Sequence, residues 1–140
     1  MVRDYRDLEV WRLAMDLAEA VSRLVHDFPK AEEYRLTSQL VRSAISVPAN
    51  FAEGNARASP RDHARFVAIA RGSLAETETF LMLARRPAIA QPGAVDPVLS
   101  LADRVGRMLN GFHRSLDRAV PAATRLASPQ PPNPSPPFSS

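Results

Sequence analysis

The sequence predicts an all-α protein: an antiparallel up-down four-helix bundle over residues 1–120, followed by a Pro/Ser-rich tail over residues 121–140. Apolar residues recur in four successive segments at the three- and four-residue spacing of one helix face. Prolines and glycines punctuate these segments and leave connections short enough for neighbouring helices to run antiparallel. We find no strand signal and no internal repeat, and 140 residues fit one domain.

The first helix is predicted from about Asp7 to His26. Its apolar stripe follows the 3.6-residue spacing and marks the face that packs on the core; it consists of Val10, Ala14, Leu17, Val21, Leu24 and Phe28. Pro29 ends the helix, because a residue that precedes proline is biased away from the α conformation.

The second helix is predicted over residues 31–57 with a kink at Pro48. Pro48 lacks the N–H that would bond the Ala44 carbonyl, and its ring crowds that turn. The apolar stripe keeps its phase through the proline, which favours one bent helix over two; it consists of Leu36, Leu40, Ala44, Val47 and Phe51. The hydroxyls of Ser43 and Ser46 are expected to help satisfy the carbonyls that the kink frees.

The third helix is predicted from a strong start signal to about Arg85. Ser59 is suited to the N-cap, Pro60 fits the first helical position, and Asp62 follows at the third. The residues expected to face inward are Phe66, Ile69, Ala70, Ser73, Thr77, Phe80, Leu81 and Ala84.

The fourth helix is predicted to begin near Asp96 and Pro97 and to end near Ala119, after a loop over residues 87–97. Its apolar stripe consists of Val98, Leu101, Val105, Met108, Phe112 and Leu116. The tail that follows contains seven of the 13 prolines and too few aliphatic residues to offset the entropy of ordering. We therefore predict a disordered tail.

Composition excludes several kinds of chemistry and several destinations. The chain has no cysteine, so disulfides, thiolate nucleophiles and cysteine-bound zinc are excluded. Its first residues are charged and lack the apolar region of a signal peptide. The longest uncharged segment, residues 43–52, is about half the length needed to cross a bilayer. These features favour a cytoplasmic protein without membrane contact.

The net charge is +3, and the basic side chains are almost all arginine, with Lys30 the single lysine. Arginine suits phosphate and interface contacts because its planar fork donates two parallel hydrogen bonds. A high genomic GC content would produce the same bias, and +3 alone is weak evidence for a nucleic-acid partner.

The positions of the histidines do not indicate a metal site. A di-iron site in a helix bundle needs Glu-x-x-His pairs facing the core, and no histidine here has an acidic residue three positions earlier. The three histidines, His26, His63 and His113, fall in separate predicted helices, and each is better explained as a surface residue than as a ligand. No Gly-rich phosphate loop is present. We expect no metal, cofactor or small-molecule substrate.

Nine residues around the second and third helices break local rules, since they place proline, glycine or polar side chains on or beside apolar stripes. We predict that they form a structural polar network: Arg42, Ser46, Pro48, Asn50, Glu53, Gly54, Gly72, Ser73 and Glu76. In this interpretation Glu53 or Glu76 pairs with Arg42 or Arg71, and Asn50 bonds backbone freed by the kink.

The roles of the two glycines and of the two glutamates in this set are open to a second interpretation. Gly54 serves either as a helix C-cap or at a close helix crossing, and Gly72 is expected to let the second helix approach. Glu53 and Glu76 could alternatively form a carboxylate pair for acid–base work, which would make the protein an enzyme.

The same residues carry a family resemblance. The stretches YRDLEVW, FPKAEEYRLTSQLVRSAISVPANFAEGNAR and FVAIARGSLAETE resemble the four-helix bundle protein family, also known as the bacterial intervening-sequence protein, over about residues 5–118. The family pattern R-A-x-S-I-P-x-N-I-A-E-G is matched at Arg42, Ser46, Pro48, Asn50, Glu53 and Gly54. The chain departs from it at Ser43, Val47 and Phe51.

The resemblance implies an up-down bundle that assembles as a ring-shaped homopentamer with no established enzymatic activity. A related branch, the accessory proteins of diversity-generating retroelements, binds nucleic acid and a reverse transcriptase through a basic surface. Carried over, this indicates RNA or a nucleic-acid enzyme as partner, with contacts from Arg35, Arg57, Arg61, Arg65, Arg71, Arg85 and Arg86. Taken singly, each arginine is better explained by solvation or by a salt bridge between subunits than by contact with nucleic acid.

Three functional hypotheses follow. The first is a non-catalytic oligomeric scaffold that binds RNA or a nucleic-acid enzyme. The second is a purely structural or protein-interaction module whose ring presents the Pro-rich tails. The third is an enzyme that uses Glu53 and Glu76. We favour the first, because it joins the family resemblance to the arginine content.

Overall fold

The computed structural model describes residues 4–86 and 89–120, and the four predicted helices are present in it. They are α1 (Glu9–Leu24), α2 (Ser38–Asn55), α3 (Pro60–Ala84) and α4 (Pro92–Ala119), with no strand in those ranges. Each helix packs on its neighbour in the chain, and α4 returns against α1. The all-α four-helix class is thereby confirmed, whereas the predicted disorder of residues 121–140 lies outside the described residues.

Contacts between α2 and α3 show that the two helices run antiparallel. Ser43 meets Thr77, with their hydroxyl oxygens 2.9 Å apart. Eleven residues further along α2, Gly54 meets Phe66, eleven residues earlier on α3. One end of the bundle, called here the turn end, therefore holds the connection between α2 and α3.

The core is aliphatic and rich in alanine, in keeping with an aromatic content of only 6% in the sequence. The four helices meet through side chains of which almost nothing is exposed, and these include Ala14, Leu17, Val21, Leu40, Ala44, Val47, Phe51, Val67, Ala70, Leu81, Val95, Ala102, Val105 and Leu109. Small side chains let the helices approach each other closely. Close helix packing therefore fills the core more than large aromatic side chains do.

The connection between α1 and α2 is more irregular than the sequence predicts. Regular α-helix in the first segment stops at Leu24, and a 3₁₀ turn continues it over Val25–Asp27. The predicted start of the second helix is a 3₁₀ turn, Lys30–Glu32, followed by a π-helical turn, Glu33–Thr37. The predicted spans are right in extent but contain three kinds of helical turn.

Helix α2 is continuous through Pro48, as the phase of its stripe predicts. The serine hydroxyls do not serve the carbonyl that the proline frees. Ser43 Oγ donates to the Leu40 carbonyl at 3.0 Å, and Ser46 Oγ donates to the carbonyl of Arg42 at 2.9 Å. The Asn50 side chain likewise donates to the Ser46 carbonyl. The prediction for these three polar groups was therefore wrong, because each bonds its own preceding turn.

The start of α3 is confirmed in detail. Ser59 Oγ accepts a hydrogen bond from the Asp62 backbone N–H at 3.0 Å, and Pro60 occupies the first helical position. The inward face is partly mispredicted, because Ile69 is 42% exposed. Val67 and Leu74 are buried instead, since the contact face of α3 lies one residue further round than the prediction placed it.

The predicted start of α4 is wrong by about one turn. The helix begins at Pro92, so the segment read as loop over residues 87–97 is already helical in its second half. Pro92 takes the first helical position, where its missing N–H is harmless. Pro97 then lies inside the helix and forgoes one hydrogen bond, while Val95 and Val98 hold that turn in the core.

Candidate functional site

Two features dominate the turn end: a close crossing of α2 on α3 and a group of arginines beside it. Gly54 lies at the crossing. A Cβ atom built on Gly54 would sit 2.6 Å from Phe66 Cβ and 3.2 Å from the His63 carbonyl oxygen. Of the two predicted roles for Gly54, the structure assigns the close crossing, since α2 continues to Asn55 and ends at Ala56.

His63 is held in an aromatic cluster that joins α2, α3 and α4. Its ring lies 5.3 Å from Phe51 and 5.0 Å from Phe112, and those two phenyl rings are 5.0 Å apart. His63 is only 7% exposed, and among the described residues nothing bonds its Nε2. The expectation of a surface histidine was therefore wrong. The position three residues before Phe66 on the same stripe was the sequence signal for its burial.

Burial lowers the pKa of His63, because the aromatic surroundings disfavour the charged imidazolium. The histidine of the unfolded chain titrates near 6.5. We therefore expect this site to contribute its full stability above about pH 6.5. That contribution should be lost as the pH falls toward the lower folded pKa, because the unfolded chain then binds the proton more readily.

A His63→Leu variant tests this by urea unfolding between pH 7.5 and pH 5.5. The wild-type protein should lose stability across that range faster than the variant does. His26 and His113 are present in both proteins and cancel in the comparison. Equal slopes for the two proteins would show that His63 does not carry the pH dependence.

The nine residues of the predicted polar network do not form one network. Arg42 Nη2 lies 4.0 Å from Glu76 Oε2, a marginal ion pair between α2 and α3. Glu53 pairs instead with Arg57 at 3.1 Å, along its own helix. All four of these side chains are about half exposed or more, so the two pairs stabilise the fold little.

The buried polar contact between these helices involves different residues. Thr77, which is fully buried, places its hydroxyl oxygen 2.9 Å from both Ser43 Oγ and the Ser73 carbonyl. Ser73 belongs to the predicted set, whereas Ser43 was expected to bond carbonyls freed by the kink and Thr77 was expected only to face inward. Gly72 is not a contact point for α2, because a Cβ built there has no atom of another described element within 4 Å.

The two carboxylates considered for acid–base work are far apart. Arg42, which neighbours Glu76, precedes Glu53 on α2 by eleven residues, about 16 Å along a helix. Paired carboxylates in glycoside hydrolysis lie within about 10 Å of each other. Within the described ranges, no group of three or more potential metal ligands occurs either.

Three of the predicted arginines gather at the turn end. The guanidinium carbons of Arg57 and Arg65 lie 5.0 Å and 4.7 Å from the centre of the Phe66 ring. Arg61 is exposed one helical turn before Arg65, in the first turn of α3. These four residues are called here the turn-end arginine cluster.

The other four predicted arginines lie elsewhere. Arg35 pairs with Glu32 at 2.9 Å, at the opposite end of the bundle. Arg85 bonds Asp96 at 2.8 Å, also at that end, and Arg86 follows it. Arg71 is exposed near the middle of α3. The seven arginines therefore divide among two ends and a middle and do not share one surface.

Two further arginines at the turn end were missed. Phe112 contacts His63, so the last turns of α4 reach the same end as the start of α3. Arg114 and Arg118 follow on those turns and are exposed. These two arginines lie near the start of α3 only because of the way α4 packs against it. No local pattern in the sequence could have predicted that proximity.

None of the described helices combines the length and the apolar character needed to pass through a bilayer.

Comparisons with known proteins agree with this architecture. The chain matches a solved protein of unknown function from the S23 ribosomal protein family of Bacteroides thetaiotaomicron, with 21% identity and a TM-score of 0.67. The match covers 74% of this chain and 97% of that one, and at this identity it supports the fold alone. Among curated proteins, none matches.

The family is established by a sequence match that spans most of the bundle. The model of the 23S rRNA-intervening sequence protein family matches residues 6–111, from the turn before α1 to the last part of α4. The stretches that carry the resemblance in the sequence lie inside this range, except for Tyr5 at the start of the first one. The chain therefore belongs to the 23S rRNA-intervening sequence protein family.

Proposed function

We propose that this chain forms a non-catalytic homo-oligomeric scaffold, a pentameric ring in the cytoplasm, that binds RNA through its arginines. The observation that carries the proposal is the turn-end arginine cluster, in which two guanidinium groups stack on Phe66 and Arg61 stands beside them.

The cluster has the properties that a phosphate-binding surface needs. Guanidinium groups donate in a planar fork that matches phosphate oxygens. Stacking on Phe66 orders Arg57 and Arg65 before they bind, which lowers the entropy lost on binding. The α3 N-terminus lies at Arg61 and adds partial positive charge to the same place.

Assembly into a ring would strengthen this surface. Five copies of a chain of charge +3 bring the total to about +15, and a basic face attracts polyanions from a distance. Ile45 and Ile69, which are 51% and 42% exposed, together with the open space around Gly72, offer an apolar face to a neighbouring copy. Exposed apolar patches of this kind are typical of subunit contacts.

The double change Arg61→Glu, Arg65→Glu should weaken binding of a structured RNA at least tenfold at low salt, because two phosphate contacts per copy become repulsive. Fluorescence anisotropy of a labelled RNA hairpin measures this as the salt concentration rises. Affinity of the unmodified protein should fall steeply with salt, and the slope should flatten in the variant.

A matched control keeps the same change in net charge away from the cluster. Arg23 and Arg107 are exposed on α1 and α4 and pair with Glu19 and Asp103, so Arg23→Glu, Arg107→Glu should cost much less affinity. Equal losses in the two variants, or affinity that ignores salt, would refute the RNA surface. Light scattering on the same samples gives the subunit number, and a monomer at all concentrations would refute the ring.

The alternative is a purely structural or protein-interaction module. It is favoured by the ion pairs that already occupy three of the seven candidate arginines, Arg35, Arg57 and Arg85. In that case the ring would form normally and the RNA hairpin would bind equally weakly to the wild-type protein and both variants. Retention of every protein partner after deletion of residues 121–140 would argue against a role for the tail.

A further inference from the structure

The end of the bundle opposite the turn end carries an open apolar groove between α1 and α4, with a volume of about 920 Å³. Leu24, Phe28 and Val98 contribute apolar side chains to it, and Ile89 lies beside them. The groove is lined by the second half of α1 and the first turns of α4. It therefore spans the place where the chain enters α4.

A second hollow of about 310 Å³ lies between the helical turns that precede α2 and the end of α3. Leu36, Phe80 and Leu83 line it, and Leu83 is 43% exposed. Ile89 lines this hollow as well as the groove. The two depressions are therefore one continuous surface, called here the end surface, with Ile89 near its middle.

The two halves of the end surface carry opposite charge. Asp16, Glu19 and Asp27 lie along the α1–α4 groove, and its one arginine, Arg23, is held by Glu19 at 2.7 Å. The groove half is therefore acidic on balance.

The other half is basic on balance. Arg35 and Arg86 line the hollow with Glu32, which pairs with Arg35 at 2.9 Å. Within the described part of the chain, no ion pair engages Arg86 or Asp27. Arg86 and Asp27, which lie on opposite sides of Ile89, are therefore available to pair with charged groups of a partner.

We propose that the end surface binds the same surface of a second copy of this chain, end to end about a two-fold axis near Ile89. A two-fold contact uses one patch twice, so the patch must carry its own complement. The end surface does so, because rotation places the acidic half of one copy against the basic half of the other. Arg86 then faces Asp27 twice per pair, across the apolar side chains around Ile89.

Other occupants fit the end surface less well. A basic helix from another protein would satisfy the acidic half and oppose Arg86. The tail of the same chain starts beyond α4, at the turn end, and carries one basic residue, Arg125, and no acidic residue. The end-to-end contact is separate from the ring and from RNA binding, so each can fail without the other.

A single introduced cysteine tests the two-fold axis, because the chain has no cysteine of its own. In Ile89→Cys the thiols of two copies should lie close together and form a disulfide under mild oxidation. A band of twice the chain mass should then appear on a denaturing gel without reductant. Met15→Cys, at a position 45% exposed on α1 outside the end surface, should give at least fivefold less of that band. Circular dichroism checks that both variants fold.

A charge swap tests the pairing between Arg86 and Asp27. Arg86→Glu and Asp27→Arg should each weaken the end-to-end association about tenfold in sedimentation at low salt, since two pairs turn repulsive together. The double variant should return to within about threefold of the wild-type protein, because the pairs are restored with reversed sign.

Several results would overturn the proposal. Linking at position 89 that is no faster than at position 15 would exclude a two-fold axis there. Weakening by Asp27→Arg alone, without an effect of Arg86→Glu, would show that Asp27 does not face Arg86 of the second copy and would refute the two-fold pairing. More linking at position 89 after deletion of residues 121–140 would show that the tail occupies the surface.

Discussion

Phe51→Ala is expected to lower the free energy of unfolding by about 3–5 kcal/mol, the usual cost of removing a large buried aromatic side chain. Phe51 is fully buried and meets both His63 and Phe112. Its loss would leave a cavity where three helices converge, and the surrounding helices can fill it only in part. Urea unfolding followed by circular dichroism, at one fixed protein concentration, measures the change.

Phe80→Ala is the matched control for this change. Phe80 is half-buried and lines the hollow of the end surface, so Phe80→Ala removes the same atoms from a site with more solvent. It should cost clearly less than Phe51→Ala, because less apolar surface loses its cover. Similar costs for the two variants would mean that the aromatic cluster is not a main source of stability.

Gly54→Ala is expected to lower the free energy of unfolding by about 1–3 kcal/mol, although alanine is the better helix former. The added methyl would meet Phe66 Cβ at 2.6 Å and the His63 backbone oxygen at 3.2 Å. Neither atom can move without shifting α3, so the strain outweighs a gain of about 1 kcal/mol in helix propensity. The same unfolding measurement applies.

Gly72→Ala is the control that distinguishes the effect of the close crossing at Gly54 from the general effect of replacing a glycine within a helix. With open space around Gly72 among the described residues, the change should leave the bundle unharmed or stabilise it by up to about 1 kcal/mol. If both variants were stabilised equally, the close crossing at Gly54 would be refuted. A loss of stability in Gly72→Ala that grows with protein concentration would instead indicate a contact between copies at α3.

Local signals predicted the parts of the fold that local physics controls. Ser59, Pro60 and Asp62 identify the start of α3 because capping involves only neighbouring residues in the chain. The start of α4 was predicted wrongly near Asp96 and Pro97, because Pro92 suits a first helical turn as well as Pro97 does. Burial of Val95 decided between them, and that burial comes from packing against other helices.

The candidate site was predicted less well, because its residues meet across the bundle. Gly54 was singled out from the sequence, yet its role depends on Phe66, twelve residues later on another helix. Ser43 and Thr77 are 34 positions apart, and no spacing rule links them. The predicted arginines share a residue type but point from different ends of the bundle, so their number did not indicate a common surface.

The amino-acid sequence by itself determined the helical class, the order of the helices, the family and the absence of cysteine chemistry. These follow from periodicity, capping and composition, which act within a few residues. Only the tertiary structure decided that His63 is buried, that Glu53 and Glu76 are separated, and that the two halves of the end surface adjoin at Ile89. Those outcomes depend on which helix faces which, and that is set by the packing of the whole core.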